Sequence, residues 1–183
     1  MTVHLYFAYG MNTNISGMKI RCPRARSLGA AMLPNYRFRF SGPADIVSDP
    51  SRDTDGVLWE LTDECLAALD RLEGYPTYYT RFIVKVLHNG DFVDAWVYQM
   101  TPGHLDSAPS DSYWDCLTEG YRDHGVSTVQ MLLARERAYA WEDCEDHYQV
   151  GTSYTSISSV VNKQHWPDNY YASYDEVDNK WRF

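Results

Sequence analysis

The chain has 183 residues, with 16 Lys and Arg against 25 Asp and Glu, a formal net charge of -9. That length fits one domain, or one domain with an extension, and it buries a core without staples. The charge argues against a dedicated nucleic-acid binder, because a phosphate backbone is repelled on average. With 44% apolar and 22% charged residues, wholesale disorder is also disfavoured.

Residues 3–9, VHLYFAY, form an apolar and aromatic run that ends at Gly10. The pattern predicts a strand delivering a tight turn. Met11 to Arg21 is mixed and fits a helical turn or two, leading into the basic segment RCPRAR. NYRFRFS, 35–41, alternates aromatic and polar residues and predicts a half-buried strand. GPADIVSDPSRDTDG has the composition of a loop. GVLWEL, 56–61, predicts the next strand.

Thr62 then opens a helix, with its hydroxyl as cap and Asp63 and Glu64 in the first turn. Cys65, Leu66, Leu69 and Leu72 give that helix one apolar face. Gly74 ends it and Pro76 prevents its resumption. YYTRFIVKVL, 78–87, and FVDAWVYQM, 92–100, predict two strands joined by a hairpin at Asn89-Gly90. Ser110 or Asp111 caps a helix carrying Tyr113, Trp114, Leu117 and Tyr121. Ser127 and Gln130 match a capping box, before a helix whose apolar side draws on Val129, Leu132, Leu133 and Tyr139.

From Trp141 the character changes: nine aromatics, eight acids and three bases fall in 141–183. TSYTSISSVV there suggests a strand, and the rest an appendage laid on the core by Trp and Tyr anchors. The domain reading is therefore a core over 1–140 and an aromatic, acidic extension over 141–183. Cys22, Cys65, Cys116 and Cys144 form no CxxC pair. Free thiols in a reducing cytoplasm are the simpler expectation. No signal peptide and no apolar run long enough to span a bilayer is found.

Two segments are candidates for chemistry. In YFAYGMN, Gly10 permits a turn whose N–H groups converge on an anion, and Asn12 adds an amide. Glycine turns after strands are common, so this feature alone is weak. In LDRLEGYP, Glu73 sits at a helix C-terminus, where the dipole and apolar neighbours both raise proton affinity. That is what a general acid-base carboxylate near neutral pH requires. From pattern alone, a solvent-facing glutamate is the commoner reading of such a residue. Asp70, three residues earlier, either couples to Glu73 or orients the helix end. RCPRAR is read as a solvated basic face. Cys144 and His147 lack a second ligand pair, so no metal site is expected.

FAYGMN resembles the YGSN-type loop of the gamma-glutamylcyclotransferase-like family, which includes AIG2-like and BtrG-like proteins. The order of NYRFRF, GVLWEL, LDRLEG, YYTRFIVKV, DAWVYQM and EGYRDHG is similar to that family over roughly residues 3–135. The resemblance implies an α+β fold: a compact mixed β-barrel with peripheral helices and one cavity. It implies that Tyr9, Gly10, Met11 and Asn12 bind the glutamyl head, and that Glu73 is the catalytic glutamate. The activity implied is cyclisation of a γ-glutamyl amine, amide or dipeptide, releasing 5-oxoproline and a free amine or amino acid, with no metal or organic cofactor. Met11 departs from the family's Ser or Thr, and Asp45 stands near where relatives often have Asn. The alternative is a non-catalytic small-molecule or protein-binding module on the same fold. The extension is expected to cap the cavity or to serve a homo-oligomer or partner interface.

Overall fold

In the computed structural model, the described residues are 2–148, 174–175 and 180–181, with side chains described for 2–141. Met1–Asp143 form one compact unit and Cys144–Phe183 a second. In the second, Tyr174–Asp175 pairs antiparallel with Lys180–Trp181. The strand expected in TSYTSISSVV, the Cys144 and His147 side chains and the packing of the extension lie outside the described residues.

The first unit is built on a closed barrel of five strands: β1 (Val3–Ala8), β2 (Arg26–Phe40), β3 (Ala44–Thr62), β4 (Tyr79–His88) and β5 (Asp91–Met100). Their order is β1-β3-β2-β4-β5, and β1 closes on β5 in parallel at Tyr6 and Trp96. The other pairings are antiparallel. A 3-10 turn (Met11–Thr13) and α1 (Ile15–Arg21) follow β1; α2 (Asp63–Leu72) follows β3; α3 (Asp111–Asp123) and α4 (Val129–Tyr148) follow β5.

The loop expected at 42–56 is mostly strand. Only Ser41–Pro43 turns, with Gly42 at φ 69°, and β3 then runs antiparallel to β2. Ladder bonds join backbones, so a polar segment pairs as readily as an apolar one where its side chains reach water. Residues 48, 50, 51 and 53 are exposed. The turn-rich composition is absorbed as an irregularity instead. Pro34 pairs with Asp53 but Tyr36 with Ser48, so β3 bulges out opposite Asn35, which takes φ 63°.

Aromatic packing accounts for part of the Tyr and Phe excess. Tyr9 meets Phe38 edge-on at 6.1 Å, Phe38 meets Phe40 at 4.9 Å, and Phe40 leans on Trp114 at 6.2 Å. Phe7, Phe40, Leu58, Leu69 and Tyr121 are fully buried. Burying each such side chain contributes roughly 1.5–3 kcal/mol. Cys22, Cys65 and Cys116 are free. Burial pushes the Cys22 thiol up to about 12.

The helix starts follow the caps in the sequence. Thr62 Oγ1 accepts from Cys65 N at 3.3 Å and Ser110 Oγ from Tyr113 N at 3.3 Å. Two expectations fail. Gln130 closes no capping box; its side chain accepts from Asp55 N and donates to Asp55 O and the Tyr121 hydroxyl, each at 2.7 Å. A part-buried bond to the β3 backbone outcompetes a local cap. The buried stripe of α4 is Met131, Ala134 and Ala138, whereas Tyr139 is exposed. Small residues let that helix approach closely, so hydrophobicity alone misplaces its inner face.

Candidate functional site

β1 delivers its C-terminal end to the 3-10 turn at the barrel mouth, and several bonds fix that turn. Thr13 N and Thr13 Oγ1 both donate to Gly10 O at 2.9 Å. Asn14 Oδ1 caps α1 through Gly17 N at 2.8 Å, while Asn14 Nδ2 donates to Glu119 Oε2 on α3 at 2.9 Å. Tyr9 is held at both ends: its hydroxyl donates to Tyr98 O at 2.7 Å, and its carbonyl accepts from the Tyr121 hydroxyl at 2.8 Å. Gly10 has φ -102°, so it is not needed for a left-handed backbone. A Cβ there would lie 3.0 Å from the Tyr113 hydroxyl, so any side chain would require that hydroxyl to shift.

On the facing side, α2 ends at Glu73, whose N–H donates to Leu69 O at 2.9 Å; Gly74 then turns the chain at φ 62°. Asp70 anchors this end. It accepts from the Tyr98 hydroxyl at 2.8 Å, and Arg81 Nε lies 2.8 Å from the same carboxylate oxygen. Arg81 stacks over Trp96 at 4.3 Å and Tyr75 at 5.2 Å. Of the two readings of Asp70, the orienting one has direct contacts.

The two halves meet around one cavity of about 250 Å³. Tyr9, Gly10, Met11, Asn12 and Glu73 all line it. Asn12 Nδ2 donates to Glu73 Oε1 at 2.8 Å and to the Tyr6 hydroxyl at 3.1 Å. Asn12 Oδ1 accepts from Arg21 Nη1 at 3.1 Å. The amide of Asn12 is therefore engaged within the protein, holding Glu73 in place. Burial raises the Glu73 carboxyl above its ordinary value, against the Asn12 hydrogen bond and the Arg21 charge, which both lower it. The helix C-terminus acts in the same upward direction as burial.

Several lining residues were not singled out in the sequence. Arg21 belongs to the RCPRAR run, read as a solvated face, yet it turns inward to Asn12 and also donates to Met11 O at 3.4 Å. Tyr6, Tyr79, Tyr98 and Tyr113 form much of the wall. Tyr79 donates to Ala44 O at 2.8 Å, and the Tyr113 hydroxyl accepts from Ala44 N at 2.9 Å. The aromatic excess was the available signal, but it does not say which rings face a core and which a cavity. Leu72 was expected on the core face of α2; it is exposed and lines the cavity instead. Asp45 is absent from the lining. It is buried, with Arg39 Nε donating to it at 2.8 Å and Met100 N at 2.9 Å.

This arrangement encloses a carboxyl group of raised proton affinity beside a fixed turn, in a space suited to a small molecule. Among the described residues no helix is long and apolar enough to cross a membrane.

Comparison with known proteins identifies the family. Residues 6–116 match the family described as Gamma-glutamyl cyclotransferase, AIG2-like. A Gamma-glutamylcyclotransferase of Bos taurus is 26% identical over 136 residues, covering 67% of this chain and 72% of the relative. One of Homo sapiens is 28% identical over the same shares. A solved Gamma-glutamyl cyclotransferase structure superposes with TM-score 0.64 and 26% identity, covering 76% of this chain and 88% of its own. The chain belongs to the gamma-glutamyl cyclotransferase, AIG2-like family of enzymes, on a mixed α+β fold.

Proposed function

We propose that the protein cyclises the γ-glutamyl group of a small γ-glutamyl amine, amide or dipeptide, releasing 5-oxoproline and a free amine, with Glu73 as general acid-base. The observation that carries this reading is the half-buried Glu73 carboxyl, held by Asn12 at 2.8 Å and lining the cavity. The substrate's α-nitrogen attacks its own γ-carbonyl, so a new lactam C–N bond forms as the amide C–N bond breaks. Glu73 takes the proton lost by the attacking nitrogen and returns it to the departing one. The amine and carbonyl belong to one molecule, so holding it folded supplies most of the orientation. Raised proton affinity suits a group that must both accept and donate near neutral pH.

Tyr9, Gly10 and Met11 bind the glutamyl head through the turn's backbone, which does not depend on the Ser or Thr that Met11 replaces. Asn12 acts chiefly by placing Glu73. We place the reaction in a reducing cytoplasm, in keeping with the free thiols of Cys22, Cys65 and Cys116.

The test is 5-oxoproline release, followed by mass spectrometry, from purified protein and Glu73→Gln over a panel of γ-glutamyl compounds. The variant keeps size and hydrogen bonding but cannot carry the proton, and its kcat is expected to fall by about 10²–10⁴-fold. Equal turnover in both proteins would overturn the role of Glu73. No release from any compound would favour a binding module.

A further inference from the structure

We propose that the mouth of the cavity selects an apolar or aromatic amine as the leaving group. The proposal rests on the cyclisation reading and names the substrate class for it. Tyr6, Tyr9 and Asn12, at the closed end, are 4%, 5% and 4% exposed; Leu72 and Tyr78 are 53% and 40% exposed and form the rim. The reacting α-nitrogen must reach Glu73, which is tied to Asn12. The group beyond the scissile bond is then directed outward, over Leu72 and Tyr78.

That rim is apolar and fixed in place. Leu72 follows Leu69 by one turn, yet Leu69 is fully buried and Leu72 stands half in water. Tyr78 is set edge-on against Tyr79 at 5.3 Å and His104 at 5.0 Å. Among the lining residues the charged side chains are Glu73 and Arg21, and Arg21 Nη1 donates to Asn12 Oδ1 and Met11 O, beside the turn rather than at the rim. A leaving group bearing a carboxylate gains no ion pair from Leu72 or Tyr78, the two residues it would cross. A leaving group with a hydrocarbon or ring body covers Leu72 and the Tyr78 face, which removes apolar surface from water. Because the departing amine remains partly bonded in the transition state, this contact acts on kcat/KM. The overall step balances without water: one C–N bond replaces another, and the protons lost by the α-nitrogen leave on the amine.

The experiment compares γ-glutamyl-phenethylamide, γ-glutamylglycine and a γ-glutamyl diamine as apolar, anionic and cationic probes. The wild-type protein is expected to favour the phenethylamide in kcat/KM by about tenfold or more. Leu72→Arg should lower that ratio and raise turnover of γ-glutamylglycine; Leu72 is exposed, so the fold tolerates the change. Tyr78→Ala should weaken the phenethylamide selectively. Equal kcat/KM for the three probes, preference for either charged probe, or a ratio unmoved by Leu72→Arg would overturn the proposal. Calorimetric affinities of Glu73→Gln for the same probes rank the mouth preference without turnover. Tight phenethylamide binding with no 5-oxoproline from wild type would retire the cyclisation reading and leave the mouth preference standing. The reverse pattern, release without preference, would retire the mouth preference alone.

Discussion

Asn12 and Glu73 are 61 residues apart in sequence and joined by a 2.8 Å hydrogen bond. One sits in the turn after β1 and the other caps the end of α2. Through Asn12 Oδ1 the bond extends to Arg21 on α1, so three segments converge on one carboxyl group. Both neighbours stabilise the ionised form of Glu73, and burial opposes them.

The pH profile should report this balance. Arg21→Gln removes a positive charge that lowers the Glu73 pKa, so proton affinity rises further. The base must be ionised to accept a proton. The acidic limb of kcat/KM is therefore expected to move to higher pH in Arg21→Gln, measured over a series of buffers. A limb that stays in place or moves down would contradict the assignment.

Stability should carry the same sign. A carboxyl whose pKa is raised on folding contributes stability that is fully present below its unfolded pKa and lost as pH rises through the folded one. Glu73→Gln should therefore lose less stability than wild type as pH climbs from the ordinary carboxylate value through the raised one. Urea unfolding at several pH values measures the difference.

Tyr98→Phe deletes the hydroxyl that donates to Asp70 at 2.8 Å but keeps the carbonyl that accepts from Tyr9. A hydrogen bond to a charged group is worth about 1.5–3 kcal/mol. Denaturant unfolding should show a loss of that order. Because Asp70 anchors the end of α2 just before Glu73, kcat should fall as well.

Asp45 should matter for stability rather than for substrate. Its carboxylate is buried between Arg39 and Met100 N, outside the cavity lining. Asp45→Ala leaves Met100 N and Arg39 Nε without their acceptor, while Asp106 still pairs with Arg39 Nη1 at 3.1 Å, so the expected loss is about 1–3 kcal/mol. Asp45→Asn retains an oxygen for Met100 N and should be milder. Its kcat/KM should stay near wild type, read in the 5-oxoproline assay.

Gly120→Ala tests the contact of α3 with the turn. Alanine is a better helix former than glycine by about 1 kcal/mol. Here, however, a Cβ would lie 2.6 Å from Asn14 N and closer still to Thr13 Oγ1. Overpacking costs typically about 1–3 kcal/mol, and the clash is with backbone that cannot step aside. The variant should lose stability and activity together, seen as a lower Tm and reduced kcat.

Much of the barrel was legible in the chain because its signals are local. An apolar and aromatic run marked β1, and alternating aromatic and polar residues the end of β2; Asn89-Gly90 marked the β4–β5 hairpin; Thr62 and Ser110 marked two helix starts. The segment 42–56 was misread because turn-type composition reports exposure, not backbone pairing, and β3 extends through it opposite β2. Gln130 was misread because a capping box is a local pattern, while the backbone of Asp55 is a distant partner.

The sequence by itself determined the net charge, the strand and helix signals, and the pairing of a glycine turn with a helix-end glutamate as candidate chemistry. Tertiary structure decided what those residues can do. Whether Glu73 faces water or a cavity depends on Asn12, Arg21 and the tyrosines brought to it by barrel closure. The shift in its proton affinity is a property of that shared enclosure, raised by burial and opposed by Asn12 and Arg21. The position of Leu72 was decided in the same way. Its spacing on α2 matches a core face, but as the last residue of the helix it lines the cavity and stays exposed.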